Sequence, residues 1–161
     1  MYQRILVPLD GSATAERGMR EAIALAASTK AQLIFLHVVD DYSMLVEMSS
    51  AAVYEEMLRD LRKFGLGVLG NAQRSAEAAS VHAESLLREV TGQRIADVII
   101  EQAEAHTCDL IVMGTHGRRG ISRMALGSEA ELVARSSPVP VLLVREGAKL
   151  HGATSSGTSP S

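Results

Sequence analysis

The residues best suited to chemistry lie together in one segment, Gly114-Thr115-His116-Gly117-Arg118-Arg119-Gly120-Ile121-Ser122-Arg123-Met124-Ala125-Leu126-Gly127-Ser128. It begins where the apolar run Leu110-Ile111-Val112-Met113 stops and ends where helical spacing resumes. Glycines lack a Cβ, so their backbone N–H groups can approach an anion closely, and a helix start adds unpaired N–H groups and the positive end of a dipole. Arg118, Arg119 and Arg123 bring further positive charge. Two readings are open on these grounds: a phosphate cradle, or a plain connection from strand to helix.

Other reactive types are less well placed. Asp10 and Ser12 share a turn, but no histidine is positioned by sequence to complete a nucleophilic triad. Asp40-Asp41 reads as a solvated strand end, which a metal carried on nucleotide phosphates could recruit. The five histidines, His37, His82, His106, His116 and His151, are scattered without ligand spacing and are expected at solvated or core-edge positions. His116 differs, because its loop could bring it to a phosphate or a bound metal. Cys108, the single cysteine, precedes Asp109 and an apolar run, so a buried small side chain is expected rather than a reactive thiol. The net charge of −3 argues against a surface built to coat nucleic acid.

The elements that must position these residues alternate. Ile5 to Leu9 is a short apolar run ended by Asp10-Gly11-Ser12, and Ala13 to Ser28 carries apolar residues at helical spacing. Gln32 to Val39 predicts a second strand, and a polar loop through Ser43 and Ser49-Ser50 leads to a long helix from Ala51 to Ala79. Its glycines, Gly65, Gly67 and Gly70, each cost about 1 kcal/mol of helix propensity, which predicts a bend or tight packing. Val81 to Leu87 predicts a third strand, and Thr91 a cap for a helix running to Ala105. Leu110 to Met113 and Val139 to Val144 complete five strands, with Pro138 and Pro140 stiffening the start of the last. Residues 1–145 therefore form one α/β domain with a parallel sheet covered on both faces. Ligands of such sheets sit outside the carboxyl ends of the strands. Glu146 to Ser161 is Gly-, Ser- and Thr-rich and is expected to be a disordered tail. An aromatic content of 3% leaves the core to aliphatic residues. The opening residues do not read as a secretory leader and no run is long enough for a membrane span, so a cytoplasmic protein is expected.

Neither G-x-x-x-x-G-K-S/T nor a G-x-G-x-x-G after the first strand is present. Gly114-x-x-Gly117, nine residues, then Gly127-Ser128 resembles instead the G-x-x-G-x9-G-S/T pattern of ATP-binding universal stress proteins. The similarity extends to Ile5-Leu6-Val7-Pro8-Leu9-Asp10-Gly11-Ser12, Leu36-His37-Val38-Val39-Asp40, Asp109 to Gly114, and Ser137-Pro138-Val139-Pro140-Val141-Leu142-Leu143-Val144. This resemblance implies a Rossmann-like three-layer sandwich with strand order 3-2-1-4-5, and a homodimer formed by pairing the 139–144 edge strands.

It also implies roles. Asp10 lies near adenine and ribose, with Pro8 shaping that wall and Ser12 in the same turn. Val38 meets the adenine edge through its backbone. Met113 and Gly114 flank the ribose and phosphates, and Gly117, Gly127 and Ser128 hold the phosphates beside His116 and Arg118. The ligand is ATP, or AMP or ADP, with magnesium as a companion. As plain alternatives, Asp10 caps the following helix and Val38 is strand core. Glu129 departs from the pattern, which commonly has a small or apolar residue there. A carboxylate at the first helical position is favoured by the dipole, and Ser128-Glu129-Ala130-Glu131 reads as a capping box. Pointing inward, Glu129 would repel a γ-phosphate and favour AMP. Three functions follow: a nucleotide-binding regulatory protein of the stress response with an unidentified protein partner, a slow ATP hydrolase or phosphotransfer enzyme, and a ligand-independent interaction protein.

Overall fold

The computed structural model describes residues 1–47, 50–116 and 126–145. In chain order the elements are β1 (Arg4–Pro8), α1 (Ala13–Thr29), β2 (Gln32–Asp40), α2 (Tyr42–Glu47), α3 (Ala51–Ala78), β3 (Ala83–Val90), α4 (Ile95–Ala105), β4 (Leu110–Gly114), α5 (Ser128–Ser136) and β5 (Val141–Val144). The strands form one sheet in the order β3-β2-β1-β4-β5, and every pairing is parallel. The expected fold and strand order are therefore present.

Strand alternation sorts the core into two layers. Ile5, Val7, Leu33, Phe35 and Val112 pack with Ala22, Ala26, Leu69, Ala72 and Ala76 of α1 and α3. Leu6, Ile34, Leu36, Ile111 and Met113 face Ile99 and Ala103 of α4 and Ala130 and Val133 of α5. The central strands β1, β2 and β4 carry uninterrupted apolar runs because both of their faces are covered, whereas the edge strand β3 carries Glu84, Ser85, Arg88 and Glu89. Burying one such side chain fully, as for Phe35, contributes about 1.5–3 kcal/mol. The alanines on the helices let them approach the sheet closely in a chain with few aromatics.

At the amino edge, the Asp109 carboxylate accepts the backbone N–H groups of Gln3 (2.8 Å) and Arg4 (3.0 Å). The Arg4 guanidinium donates to the His106 carbonyl at 2.9 Å. This clamp joins the start of β1 to the residue before β4.

Several local expectations are corrected. The segment expected as a polar loop after β2 contains α2, whose Met44 is buried with Val39 and Leu58. Thr91 does not cap α4, which starts at Ile95 after Arg94. Its hydroxyl donates to Asp41 Oδ1 instead, at 2.7 Å. β3 runs two residues later at its start and three later at its end than the apolar run suggested, because it pairs with β2 as far as Asp40↔Val90. β5 begins at Val141, and the Pro140 carbonyl still accepts from Ile111 at 3.0 Å. Of the α3 glycines, Gly65 is tightly packed: a Cβ there would lie 2.5 Å from His37 Cδ2. Gly67 faces open space and Gly70 meets only the Arg74 guanidinium. The proposed tail lies outside the described residues.

Candidate nucleotide site

Three chain segments converge at the carboxyl ends of β1 and β4. The first is the turn after β1. Gly11 takes φ +83°, a conformation glycine adopts without strain. Asp10 Oδ1 accepts the Ser12 N–H at 2.9 Å, which fixes the turn. Ser12 is the N-cap of α1 and its Oγ accepts from the Ala15 N–H at 3.2 Å. Of the two readings of Asp10, the helix cap therefore falls to Ser12, while Asp10 shapes the loop that precedes it.

The second segment is the end of β4. Met113 is buried on the α4/α5 side and Gly114 closes the strand. A Cβ on Gly114 would lie 2.7 Å from the Thr14 carbonyl carbon, and one on Gly18 would lie 3.3 Å from the Gly114 nitrogen. Both glycines thus allow the first turns of α1 to lie against the strand end. Gly114 is required by this helix contact, whatever else approaches it. The buried Thr14 hydroxyl donates to the His116 carbonyl, tying α1 to the chain leaving β4. Sequence reasoning overlooked Thr14 and Gly18 and gave Thr115 no role of its own; the contact of Thr14 and Gly18 with Gly114 becomes meaningful only once α1 is known to cross β4.

The third segment is the start of α5. The Gly127 N–H donates to the Thr115 carbonyl at 2.8 Å, and the Thr115 N–H donates to the Val144 carbonyl at 2.9 Å. The two ends of the glycine segment are therefore held side by side. Gly127 is the N-cap of α5, and Ser128 is the first helical residue and exposed. The expected capping box is absent: Ser128 lies one position too late, and Glu131 pairs with Arg135 instead. Glu129 turns away from its own helix dipole. Its Oε2 accepts the Ala96 N–H at 2.7 Å, so it caps the neighbouring α4, whose own N-cap Arg94 supplies no side-chain bond.

The remaining expected residues are placed as follows. Pro8 ends β1 opposite Leu36, and Val38 is half-buried on β2 with its side chain on the α4/α5 layer. His116 Nδ1 lies 2.9 Å from Thr115 Oγ1. Gly117, Arg118, Arg119 and Arg123 lie outside the described residues. Pro8, Asp10, Ser12, Met113, Gly114, His116, Gly127, Ser128 and Glu129 are brought to one edge of the sheet, around β1, β4 and the start of α5. Val38 stands on the neighbouring strand.

The acids at the end of β2 are engaged elsewhere. Asp40 Oδ1 accepts the N–H groups of Tyr42 and Gly92, each at 3.0 Å. Asp41 accepts from the hydroxyls of Tyr54 and Thr91; these bonds hold its carboxyl below the usual range, and the same bond raises the Tyr54 phenol. Among the described residues, no group of three His, Cys, Asp or Glu side chains could hold a metal. Cys108 is buried, and desolvation pushes its thiol up to about 11, which suits a packing residue. No described helix is long and apolar enough to cross a membrane.

Known proteins share this fold. The sequence profile of the Universal stress protein family matches residues 1–145. The universal stress protein MJ0531 of Methanocaldococcus jannaschii is 34% identical over 91% of this chain and 84% of its own length. The solved structure of MJ0577, from the same organism, superposes with a TM-score of 0.80 at 28% identity, over 91% of this chain and 98% of that one. A universal stress protein solved in complex with cAMP gives a TM-score of 0.61 at 28% identity, covering 89% of this chain and 97% of that one. Profile, sequence relatives and strand order agree: this chain belongs to the universal stress protein family.

Proposed function

We propose that the protein is a nucleotide-binding regulatory protein of the stress response that takes ATP in the crevice between β1 and β4. The carrying observation is the bond from the Gly127 N–H to the Thr115 carbonyl, which sets the uncapped start of α5 against the end of β4, where the Thr14 hydroxyl of α1 also bonds to the His116 carbonyl. In this reading the N–H groups at Gly127 and Ser128 meet phosphate, with Gly117, Arg118 and His116 contributing from the adjoining loop. Pro8, Asp10 and Ser12 border the adenosine, Val38 offers its backbone to the adenine edge, and Met113 and Gly114 line the floor. Glu129 lies outside the phosphate path while it caps α4, which removes the argument for preferring AMP. Magnesium would arrive with the phosphates. That a relative has been solved with cAMP supports an adenine nucleotide as the ligand class. The edge strand β5, with Leu142 43% exposed, is the surface for a homodimer. Nucleotide occupancy, acting through the crevice, would then alter what this dimer offers a protein partner.

Mass spectrometry of the natively purified protein, with calorimetric titration of ATP, AMP and cAMP, tests the assignment. An adenine nucleotide bound at one per chain is expected, and Gly117→Val should weaken ATP while leaving adenosine unchanged. A folded protein that binds none of the three overturns it.

A further inference from the structure

Behind the Asp10 turn, on the α1/α3 side of the sheet, stands a buried histidine that the site does not use directly. His37 is only 5% exposed, on β2 beside Val38. Its Nδ1 lies 2.7 Å from the Leu9 carbonyl. A carbonyl can only accept, so Nδ1 carries the proton and donates. Leu9 immediately precedes Asp10, and its own N–H donates to the Leu36 carbonyl at 2.8 Å. The peptide that launches the turn is thus fixed on both sides by residues 36 and 37 of β2.

The imidazole is itself held from behind by α3. Gly65 occupies the inward stripe of that helix, together with Leu58, Leu69, Ala72 and Ala76. A Cβ on Gly65 would lie 2.5 Å from His37 Cδ2 and 3.0 Å from Nε2, so only glycine leaves the ring where it is. The adjacent Phe64 packs edge-on to the imidazole, with centroids 5.9 Å apart and planes at 64°. The same phenyl ring lies against the turn itself, because a Cβ on Gly11 would meet Phe64 Cζ at 2.8 Å. One dipeptide of α3 therefore supports the turn twice, through His37 to Leu9 and directly at Gly11.

We propose that His37 is a positioning residue for the adenosine end of the site, set in place by Phe64-Gly65 of α3, so that α3 governs where the Asp10 carboxylate stands. This rests on the reading of the crevice as a nucleotide site. The arrangement explains why a helix of 28 residues keeps a glycine at a buried position despite the propensity cost. It also predicts a signature that general destabilisation lacks. The support acts on the turn beside the nucleoside, so its loss weakens adenosine, AMP and ATP by the same factor, whereas damage to the glycine loop weakens ATP alone.

The experiment titrates adenosine, AMP and ATP into the wild type, His37→Leu, His37→Asn, Gly65→Ala and Leu58→Ala, with apo melting temperatures alongside. His37→Leu and Gly65→Ala are expected to lose about tenfold for all three ligands, the scale of one hydrogen bond. His37→Asn, whose Nδ2–H can reach the same carbonyl, should recover most of that loss. Leu58→Ala empties a different cluster on the same helix and should lower the melting temperature with affinity unchanged. Phe64→Ala, at a residue 40% exposed, replaces either of the first two variants that fails to fold and is expected to show the same equal loss. Wild-type binding with unaltered affinities in the folded His37 and Gly65 variants overturns the inference, as does a loss in Leu58→Ala that matches theirs. Absence of binding in the wild type overturns the nucleotide reading itself, and is told apart by that first titration.

Discussion

The carboxyl edge of the sheet has two ends built in opposite ways. At the β2–β3 corner, polar side chains bond to one another and to nearby backbone: Asp40 with Gly92 and Tyr42, Asp41 with Thr91 and Tyr54, Arg62 with Glu89. At the β1–β4 crevice most bonds engage a main-chain group, from the Thr115 N–H to Val144, the Gly127 N–H to Thr115, the Ser12 N–H to the Asp10 carboxylate and the Thr14 hydroxyl to the His116 carbonyl, with glycines where α1 crosses. The corner spends its carboxylates on closing a joint. The crevice brings backbone donors and a helix start together and keeps carboxylate charge off that start by turning Glu129 to α4. The two acid-bearing strand ends are thus different devices, a latch and a cradle.

The largest effect should come from closing the cradle's hinge. Gly114→Ala places a methyl 2.7 Å from the backbone of Thr14, and neither partner is a flexible side-chain end. A loss of about 1–3 kcal/mol is expected, from overpacking and the shift of α1. Chemical denaturation measures it, and an unchanged midpoint would show that α1 moves freely against β4.

Glu129 comes next. Glu129→Ala should cost about 1 kcal/mol, the value of a helix cap, and the loss should localise to α4 in amide hydrogen exchange. ATP and AMP should respond equally. A selective gain for ATP would mean that the carboxylate faces the phosphates, erasing the contrast between the two ends.

The latch should show the smallest effect, and one that depends on pH. The folded-state pKa of Asp41 lies below its unfolded value, so its contribution is present above the ordinary carboxylate range and is lost as pH falls through the lowered pKa. Glu89, lowered by Arg62, follows the same sign. Asp41→Asn should therefore lower the melting temperature slightly at neutral pH and converge with the wild type in acid. A gap that persists in acid would mean that geometry rather than charge is responsible.

How much of this could be read from the residues differs by kind of contact. The strands, helices and layers were legible, because uninterrupted apolar runs such as Leu33 to Leu36 and helical stripes are properties of single segments, whereas the strand order came from the family resemblance. The glycine segment was legible as a candidate from its place between strand and helix. What escaped was every partnership between segments distant in sequence. Glu129 looked like a member of its own helix start because capping rules are local, whereas its partner belongs to α4. Thr91 looked like a cap for the same reason, and was taken by Asp41. Gly65 stood out as a cost, but its benefit lies on His37, on another element. The short α2 was hidden by its brevity, and its Met44 is defined by the cluster it joins.

The placement of β1 between β2 and β4, with Asp109 clamping Gln3 and Arg4, has a consequence for synthesis on the ribosome. The first strand made gains its second neighbour only after β2 and β3 have been synthesised. It can pair with β2 early, but its other edge waits until residues near 110 emerge, because Ile5 and Leu6 pair with Leu110 and Ile111. Until then the nascent chain exposes an apolar strand edge of the kind that recruits other chains. Release of the β4 segment is therefore the event that closes the sheet's centre, and chains terminated before Asp109 are expected to aggregate where chains that extend through β5 fold.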